Sequence, residues 1–386
     1  MRVLILAEYY PRAADPTLGI WAHRQAVAAR DAGAEVRVLV LHRPLPPLSA
    51  LRRRSLADAR DAMAQPPRQV LDGITVDYLR YLSPPRPWSY ASWGAWAAPV
   101  LRRALARLRR SFGFEVAHAH YAVPAGDALR RSAPGLPLLV SVHGGDVHGR
   151  HSESRAVRAT LSHARVVLAN SAGTARRSAQ RGARSTRVVH LGTDVPAEPA
   201  TPPATPTLVT VGNLIARKRN GDVIEALALL SDRHPDLRYV IVGDGPEREA
   251  LRALASARGV SDRVQFRGRL PHDQAVAAGR SATLFVLPSV AEAFGVSYVE
   301  AMAAGVPVIG ARGEDGPEEI AAAGPGMELV APRQPSALAE TIDRLLTDPA
   351  GLAGLRRQAR DTVTRAFTWE RCGRETVQAY EDVIRG

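Results

Sequence analysis

Pro288-Ser289-Val290-Ala291-Glu292-Ala293-Phe294-Gly295-Val296-Ser297-Tyr298-Val299-Glu300-Ala301-Met302-Ala303-Ala304-Gly305-Val306-Pro307-Val308-Ile309 follows directly on an apolar run at 283–287. It reads as strand, short loop with a glycine, helix and second strand, which is one repeat of a parallel α/β sheet. Such a repeat puts the N–H groups of the helix start, about Phe294, Gly295 and Val296, at the carboxyl edge of the sheet, where an anion binds well. Glu292 and Glu300 bracket that start. One carboxylate can meet sugar hydroxyls above a phosphate and the other a ribose below it. Taken singly, Glu300 is an ordinary solvated helix residue and Gly295 an ordinary first turn.

Outward from this segment the same alternation recurs along the chain. After residue 206, apolar runs at 207–211, 238–242, 283–287 and 307–309 alternate with helical patterns near 221–230, 247–258, 296–304 and 337–347. Before it, runs at 3–6, 36–41, 116–119, 138–142 and 166–169 alternate with helical patterns near 20–32, 97–110, 124–131 and 153–163. Two parallel-sheet α/β domains are therefore expected. Between them residues 196–206 carry five prolines in eleven positions, the composition of a semi-rigid extended linker. The expected organisation is an N-terminal domain at 1–195, a linker at 196–206, a C-terminal domain at 207–365 and a final amphipathic helix at 366–386. Trp369, Cys372, Thr376, Tyr380 and Val383 mark one face of that helix. It is expected to cross back to the first domain.

With 386 residues, 46% hydrophobic and 23% charged, the chain is neither disordered nor a small stapled scaffold. Its single cysteine, Cys372, allows no intramolecular disulfide and no four-thiolate zinc site. Charge divides the halves. Residues 1–195 hold 29 basic and 13 acidic residues, net +16, and residues 196–386 hold 22 and 25, net −3, which together give the +13 of the whole. The first domain thus faces something acidic. Of the 51 basic residues only Lys218 is a lysine, so arginine has replaced lysine wherever it will serve. A compact ammonium differs from a planar guanidinium at a crowded phosphate, which makes Lys218 a candidate contact.

Lys218 lies in Val209-Thr210-Val211-Gly212-Asn213-Leu214-Ile215-Ala216-Arg217-Lys218-Arg219, a buried strand ending in glycine with a basic cluster six residues on. Lys218 and its arginine neighbours can neutralise a diphosphate without a metal, in keeping with the absence of an Asp-x-Asp pair. A solvated basic turn is the plain alternative. In Leu139-Val140-Ser141-Val142-His143-Gly144-Gly145-Asp146-Val147 another strand ends in glycines, and His143 and Asp146 can point at a sugar. His118 and His120 share one side of a strand but lack a third metal ligand.

Glu292 to Glu300, together with G-x-L-x-x-x-K at 212–218 and His143-Gly144, resembles the retaining nucleotide-sugar glycosyltransferases of family 4, which have the GT-B fold. Gly19-Ile20-Trp21, Gly192-Thr193-Asp194, Gly243-Asp244-Gly245 and Phe367-Thr368-Trp369 extend the likeness over nearly the whole chain. The resemblance implies two Rossmann-like domains facing across a cleft, the second binding the donor. It implies Lys218 on the donor diphosphate, Glu300 on the ribose hydroxyls, Glu292 on the transferred sugar, and backbone N–H groups of Phe294, Gly295 and Val296 beside the phosphate. Gly19 resembles the first-domain glycine that approaches the diphosphate, His143 the histidine beside the donor sugar, and Leu270 stands where the family packs the base. Glu292, His143 and Lys218 are thus the expected catalytic residues. The family's usual arginine after Gly212 is Asn213 here, so a donor contact is lost or passes to Arg217.

The reading is a metal-independent retaining hexosyltransferase acting on a nucleoside-diphosphate sugar, UDP-linked rather than GDP-linked, and a hydroxyl acceptor. No cofactor is expected, because the nucleotide sugar is a substrate. Cell-surface polysaccharide, glycolipid or glycosylated-metabolite assembly is the implied setting. The rivals are a nucleotide-sugar epimerase of the same fold and a basic nucleic-acid-binding protein, the latter without a binding motif or a stacking set of aromatics. Trp88, Trp93 and Trp96 beside Tyr90 run into the arginine-rich stretch 101–110, which suits an anionic membrane surface. A cytoplasmic location with peripheral contact at the inner membrane face follows, since no run of about 18 apolar residues occurs.

Overall fold

The first strand shows how the fold is built. Val3, Ile5 and Ala7 belong to one hydrophobic cluster and Leu4 and Leu6 to another, because alternate residues of a strand face opposite sides of its sheet. A strand apolar at every position is therefore central and covered on both faces. The computed structural model describes residues 1–44 and 64–386.

The chain divides into two compact units, Met1–Leu191 with Trp369–Gly386, and Gly192–Thr368. Unit 1 is built on β1 (Arg2–Ala7), β2 (Glu35–His42), β3 (Arg68–Leu71), β4 (Ile74–Arg80), β5 (Val116–His120), β6 (Leu138–Val142), β7 (Val166–Ala169) and β8 (Thr186–Val188). They form one eight-stranded sheet in the order β3-β4-β2-β1-β5-β6-β7-β8. Every pairing is parallel except β3 with β4. Unit 2 has β9 (Thr207–Val211), β10 (Arg238–Val242), β11 (Val264–Gly268), β12 (Leu284–Leu287), β13 (Val308–Ala311) and β14 (Met327–Val330). These make an all-parallel six-stranded sheet in the order β11-β10-β9-β12-β13-β14. In both units the order reverses beside the first strand, and ligands of such sheets bind at that reversal, outside the carboxyl ends of the strands.

The helix Trp369–Arg385 crosses back to unit 1, as its apolar face predicts. Cys372, Val377, Tyr380 and Val383 enter the same cluster as Ala22, Ala26 and Ala29 of the helix Ile20–Asp31. The two helices touch closely: a side chain at Gly373 would come 2.2 Å from the Ala28 carbonyl oxygen.

Two expectations differ from the observed division. The unit boundary falls at Leu191/Gly192, before the proline-rich stretch, and residues 196–206 lie along unit 2. Ala200 N–H donates to Ala304 O at 2.9 Å, and Arg360 donates to the carbonyls of Pro196 and Ala197 at 2.6 and 2.9 Å. Prolines cannot donate, so arginines of the helix Pro349–Ala366 satisfy the exposed carbonyls instead. The expected C-terminal domain, 207–365, accordingly becomes 192–368. The strands β3, β4, β8, β11 and β14 were not read from the sequence. β11 alternates half-buried and exposed positions, and β8 is half-buried throughout, as suits edge strands.

Candidate functional site

In unit 2 the stretch quoted first folds as its pattern predicts. β12 ends at Leu287, a loop carries Ser289 to Phe294, and the helix Val296–Ala303 begins behind Gly295. Gly295 has φ 86°, and a Cβ there would lie 2.4 Å from the Tyr298 ring, so only glycine fits this approach. Tyr298 OH in turn donates to Leu287 O, tying the helix start to the end of β12. Phe294 is buried against Phe367, ring centroids 5.7 Å apart, and its backbone packs against Gly316, where a Cβ would lie 2.2 Å from Phe294 O.

Lys218 and Glu292, read from separate motifs, come together. Lys218 Nζ donates to Glu292 Oε2 at 2.6 Å, Ser289 Oγ donates to the same oxygen at 2.7 Å, and Arg217 NH1 stands 3.4 Å from it. Glu292 N–H donates to Glu314 Oε2 at 3.1 Å, and Glu292 O accepts from Gly316 N–H at 2.9 Å. Burial alone raises the Glu292 carboxyl, but the charges of Lys218 and Arg217 and the hydrogen bonds outweigh it and hold the group at about 2. Glu292 is therefore a buried carboxylate, its side chain only 10% exposed. Glu300, half-buried in the second turn of the helix, is pushed the other way, to about 7, by burial, with Arg280 opposing and Asp194 reinforcing. Arg280 donates to Glu300 O at 3.2 Å. Asn213 is exposed, its carbonyl accepting from Ile215 N–H at 3.0 Å, while Arg217 reaches the Glu292 carboxylate. Leu270 lies half-buried between β11 and the helix His272–Arg280.

In unit 1 the carboxyl ends of β1, β5 and β6 carry the other predicted residues. Gly19, with φ 64°, opens the helix Ile20–Asp31, and a Cβ there would lie 2.2 Å from the Tyr9 carbonyl. His143 follows β6 and is buried. Its Nε2 is 3.3 Å from His120 Nδ1, and the rings of Tyr121 and Trp21 stand 4.7 and 6.0 Å away. Burial lowers His143 to about 4, so its imidazole is neutral near pH 7. Asp146 does not point at a ligand as the sequence suggested. Its two oxygens accept from the backbone N–H groups of Ala122 and His143, both at 2.9 Å, and so pin β5 to β6. Burial raises it to about 7 against those two bonds.

His118 and His120 do share one side of β5, with ring centroids 4.6 Å apart. His118 bonds Tyr380 OH and Ser141 Oγ, both at 2.7 Å. Among the described residues no group of three or more His, Cys, Asp or Glu side chains is placed to hold a metal ion. The tryptophan triplet splits: Trp93 is buried and donates to Pro84 O at 3.1 Å, whereas Trp88 and Trp96 are 78% and 52% exposed. Ser289 and Glu314 were missed in the sequence. Ser289 follows a strand that ends in proline and serine, a weak hint; Glu314 has no local signal, because the sheet alone brings it to Glu292.

Two family profiles together match most of the chain, one described as "Glycosyltransferase Family 4" over residues 18–196 and one as "Glycosyl transferases group 1" over residues 194–362. An alpha-D-kanosaminyltransferase of Streptomyces kanamyceticus is 31% identical over 292 residues, 66% of this chain and 75% of that protein. A 2-deoxystreptamine glucosyltransferase of the same organism is 34% identical over 180 residues, 46% of this chain. The chain spans 46% of that second relative's length. Among solved structures, sucrose-phosphate synthase from Thermosynechococcus elongatus aligns with a TM-score of 0.79 at 20% identity over 100% of both chains. Anabaena Alr3699/HepE in complex with UDP-glucose aligns with a TM-score of 0.73 at 19% identity, over 99% of this chain and 100% of that one. Both likenesses are of the fold, and that fold is GT-B.

Proposed function

Because the chain belongs to the family 4 glycosyltransferases, we propose that it transfers a sugar with retention from a UDP-linked donor to a hydroxyl acceptor, without a metal ion. It is a glycosyltransferase acting on nucleotide sugars, and the finer assignment rests above all on one observation. The only lysine of the chain is bonded to a buried glutamate beside the start of the helix behind Gly295. A diphosphate at that helix start competes with Glu292 for Lys218, and the helix dipole adds to the attraction. Glu292, once released, accepts from hydroxyls of the transferred sugar. Glu300 in the next turn takes the ribose hydroxyls, Leu270 lies against the base, and Arg217 supplies the diphosphate contact that Asn213 lacks. His143, neutral and held by His120, bonds the sugar without competing for charge.

In the reaction the bond from the sugar's anomeric carbon to the diphosphate oxygen breaks. A bond from that carbon to the acceptor oxygen forms on the same face, and the acceptor's proton passes to the leaving phosphate. Lys218, Arg217 and the N–H groups of Gly295 and Val296 are aimed where negative charge develops, the arrangement that supplies most rate enhancement in such sites. HepE binds UDP-glucose, and this is why the UDP-linked donor is placed first. The named relatives point to assembly of a glycosylated metabolite, and polysaccharide or glycolipid assembly fits the same chemistry. Incubation with UDP-glucose, UDP-galactose, UDP-N-acetylglucosamine and GDP-mannose, with chelator present, tests the proposal by release of the nucleoside diphosphate. Release only with added metal, or from none of the four, would overturn it.

A specific observation favours peripheral contact with an anionic bilayer. Trp88 is exposed just before the helix Trp93–Ser111 and Trp96 is exposed on it, together with Arg102, Arg103, Arg107 and Arg110, while Leu101 and Leu105 face the core. Among the described residues no helix is long and apolar enough to cross a membrane. Flotation with vesicles containing acidic lipid at low salt, and release at high salt, is the expected result. A chain that stays down at low salt would refute the contact.

A further inference from the structure

Unit 1 holds a cavity of about 380 Å³ at the amino ends of β6, β7 and β8, where Leu136, Pro137 and Leu138 meet His163, Arg165 and Arg184. Leu138 opens β6 and His143 follows its last residue, so the strand itself, about 16 Å long at roughly 3.3 Å per residue, separates the cavity from His143. None of these side chains serves in the proposed reaction.

The three basic groups lack the partners that their neighbours have. Arg130 and Arg131 share Asp127, Arg158 and Arg181 share Glu153, and Arg187 has Asp382. Arg165 and Arg184 are exposed, His163 is half-buried, and among the described residues none of the three side chains has a hydrogen-bond or ion-pair partner. Burial lowers the His163 imidazole below its ordinary value, and the charges acting on it, those of Arg130, Arg165 and Arg184, all push the same way. Arg130 is already held by Asp127, which leaves Arg165 and Arg184 open. An anion entering the cavity relieves their mutual repulsion and takes donors that no protein acceptor uses.

The donor set narrows the anion. His163 ends the helix Arg155–His163 and Arg165 lies between that helix and β7, while Arg184 comes from the connection of the helix Ala172–Gln180 to β8. Donors therefore converge on the cavity from two separate connections. A carboxylate offers two oxygens in one plane, whereas a phosphate monoester offers three in a tetrahedron and carries about −1.5 to −2 charge near pH 7. The cavity is also larger than one phosphate group, and Leu136 and Pro137 supply an apolar wall for the body that carries it.

We infer that this cavity binds a phosphate monoester, with Arg165, Arg184 and the His163 imidazole each donating to one of its oxygens. A soluble phosphorylated metabolite and a lipid headgroup carry the same chemistry, and the test separates them.

The ring signals of His163 in the isotope-labelled full chain, assigned by their absence in His163→Gln, read the site directly by NMR. The titration uses glycerol 3-phosphate at constant ionic strength, with acetate as the planar control. Glycerol 3-phosphate is expected to shift the His163 signals saturably and to raise the pH at which the ring titrates, because a bound dianion favours the imidazolium. Arg165→Gln and Arg184→Gln should each weaken this binding about ten-fold or more, and acetate should leave the signals in place. Both arginines are exposed, so each variant should melt with the wild type. Dihexanoyl phosphatidic acid below its micelle concentration separates the sources: binding tighter than that of glycerol 3-phosphate assigns the site to a lipid headgroup, and equal or weaker binding to a soluble metabolite. His163 signals that move with neither phosphate, that move as far with acetate, or that respond equally in both arginine variants would each overturn the site.

Discussion

Lys218 Nζ and Glu292 Oε2 are 2.6 Å apart, so the one lysine of the chain and the first glutamate of its most informative segment form a single buried pair. The pair joins two strand ends, β9 through the loop 212–218 and β12 through the loop 288–294. Its members meet different parts of the donor in the proposed reaction, the diphosphate and the transferred sugar, so donor binding must first part them.

Replacing either member should cut the transfer rate sharply, and the two changes should differ in stability. Loss of a charged contact in such a site costs about 10²–10³ in rate. Lys218→Ala strands the Glu292 carboxylate in a buried position, and removal of one partner of a buried pair costs about 3–5 kcal/mol. Glu292→Gln keeps an amide oxygen that can accept from the Lys218 ammonium and from Ser289, and it should melt closer to the wild type. Calorimetry beside a transfer assay checks both; a Lys218→Ala chain melting like the wild type would show that the pair carries no stability.

The pair also sets an acid limit. Glu292 is held at about 2, below the ordinary 4.5 of an unfolded glutamate. A depressed carboxyl contributes stability that is complete above the unfolded value and is lost as pH falls through the folded one. That contribution is about 3 kcal/mol, fading between about pH 5 and pH 2. Urea unfolding at pH 7, 5 and 3 should give a steeper loss for the wild type than for Glu292→Gln, and parallel losses would contradict the assignment.

Glu300 behaves oppositely. With its carboxyl raised to about 7, it is half protonated at neutrality and accepts fully from ribose hydroxyls only at higher pH. The donor KM should fall as pH rises from 6 to 8, and Glu300→Gln should flatten that dependence. His143, at about 4, stays neutral throughout the range and adds no slope. A profile unchanged by Glu300→Gln would assign the titration elsewhere, Asp146 being the other carboxyl near 7.

Gly295→Ala should lose activity and stability together. The new methyl would lie 2.4 Å from the Tyr298 ring at φ 86°, and both the clash and the left-handed backbone penalise it. A loss of about 1–3 kcal/mol is expected by chemical denaturation. A variant as stable and active as the wild type would mean that the loop re-forms without its glycine.

Much of this was legible in the sequence, for a physical reason. β1, β5, β6 and β12 are buried on both faces, so their apolar runs are continuous and mark the two domains. β4 and β11 alternate buried or half-buried with more open positions, and their short polar-interrupted segments resemble loops. At the site, Lys218, Glu292 and Gly295 are visible because each breaks a local rule: a lone lysine, a loop carboxylate, a glycine at a helix start. Glu314 breaks none. It passes for a solvated residue, and only the parallel sheet brings it to its partner.

The most direct measurement of the central claim follows the anomeric proton of the product by NMR during transfer from UDP-glucose, with chelator present and an acceptor in excess. The account predicts release of UDP with the α configuration of the donor kept in the product, and loss of both signals in Lys218→Ala. A β-linked product, or full turnover in Lys218→Ala, would contradict it.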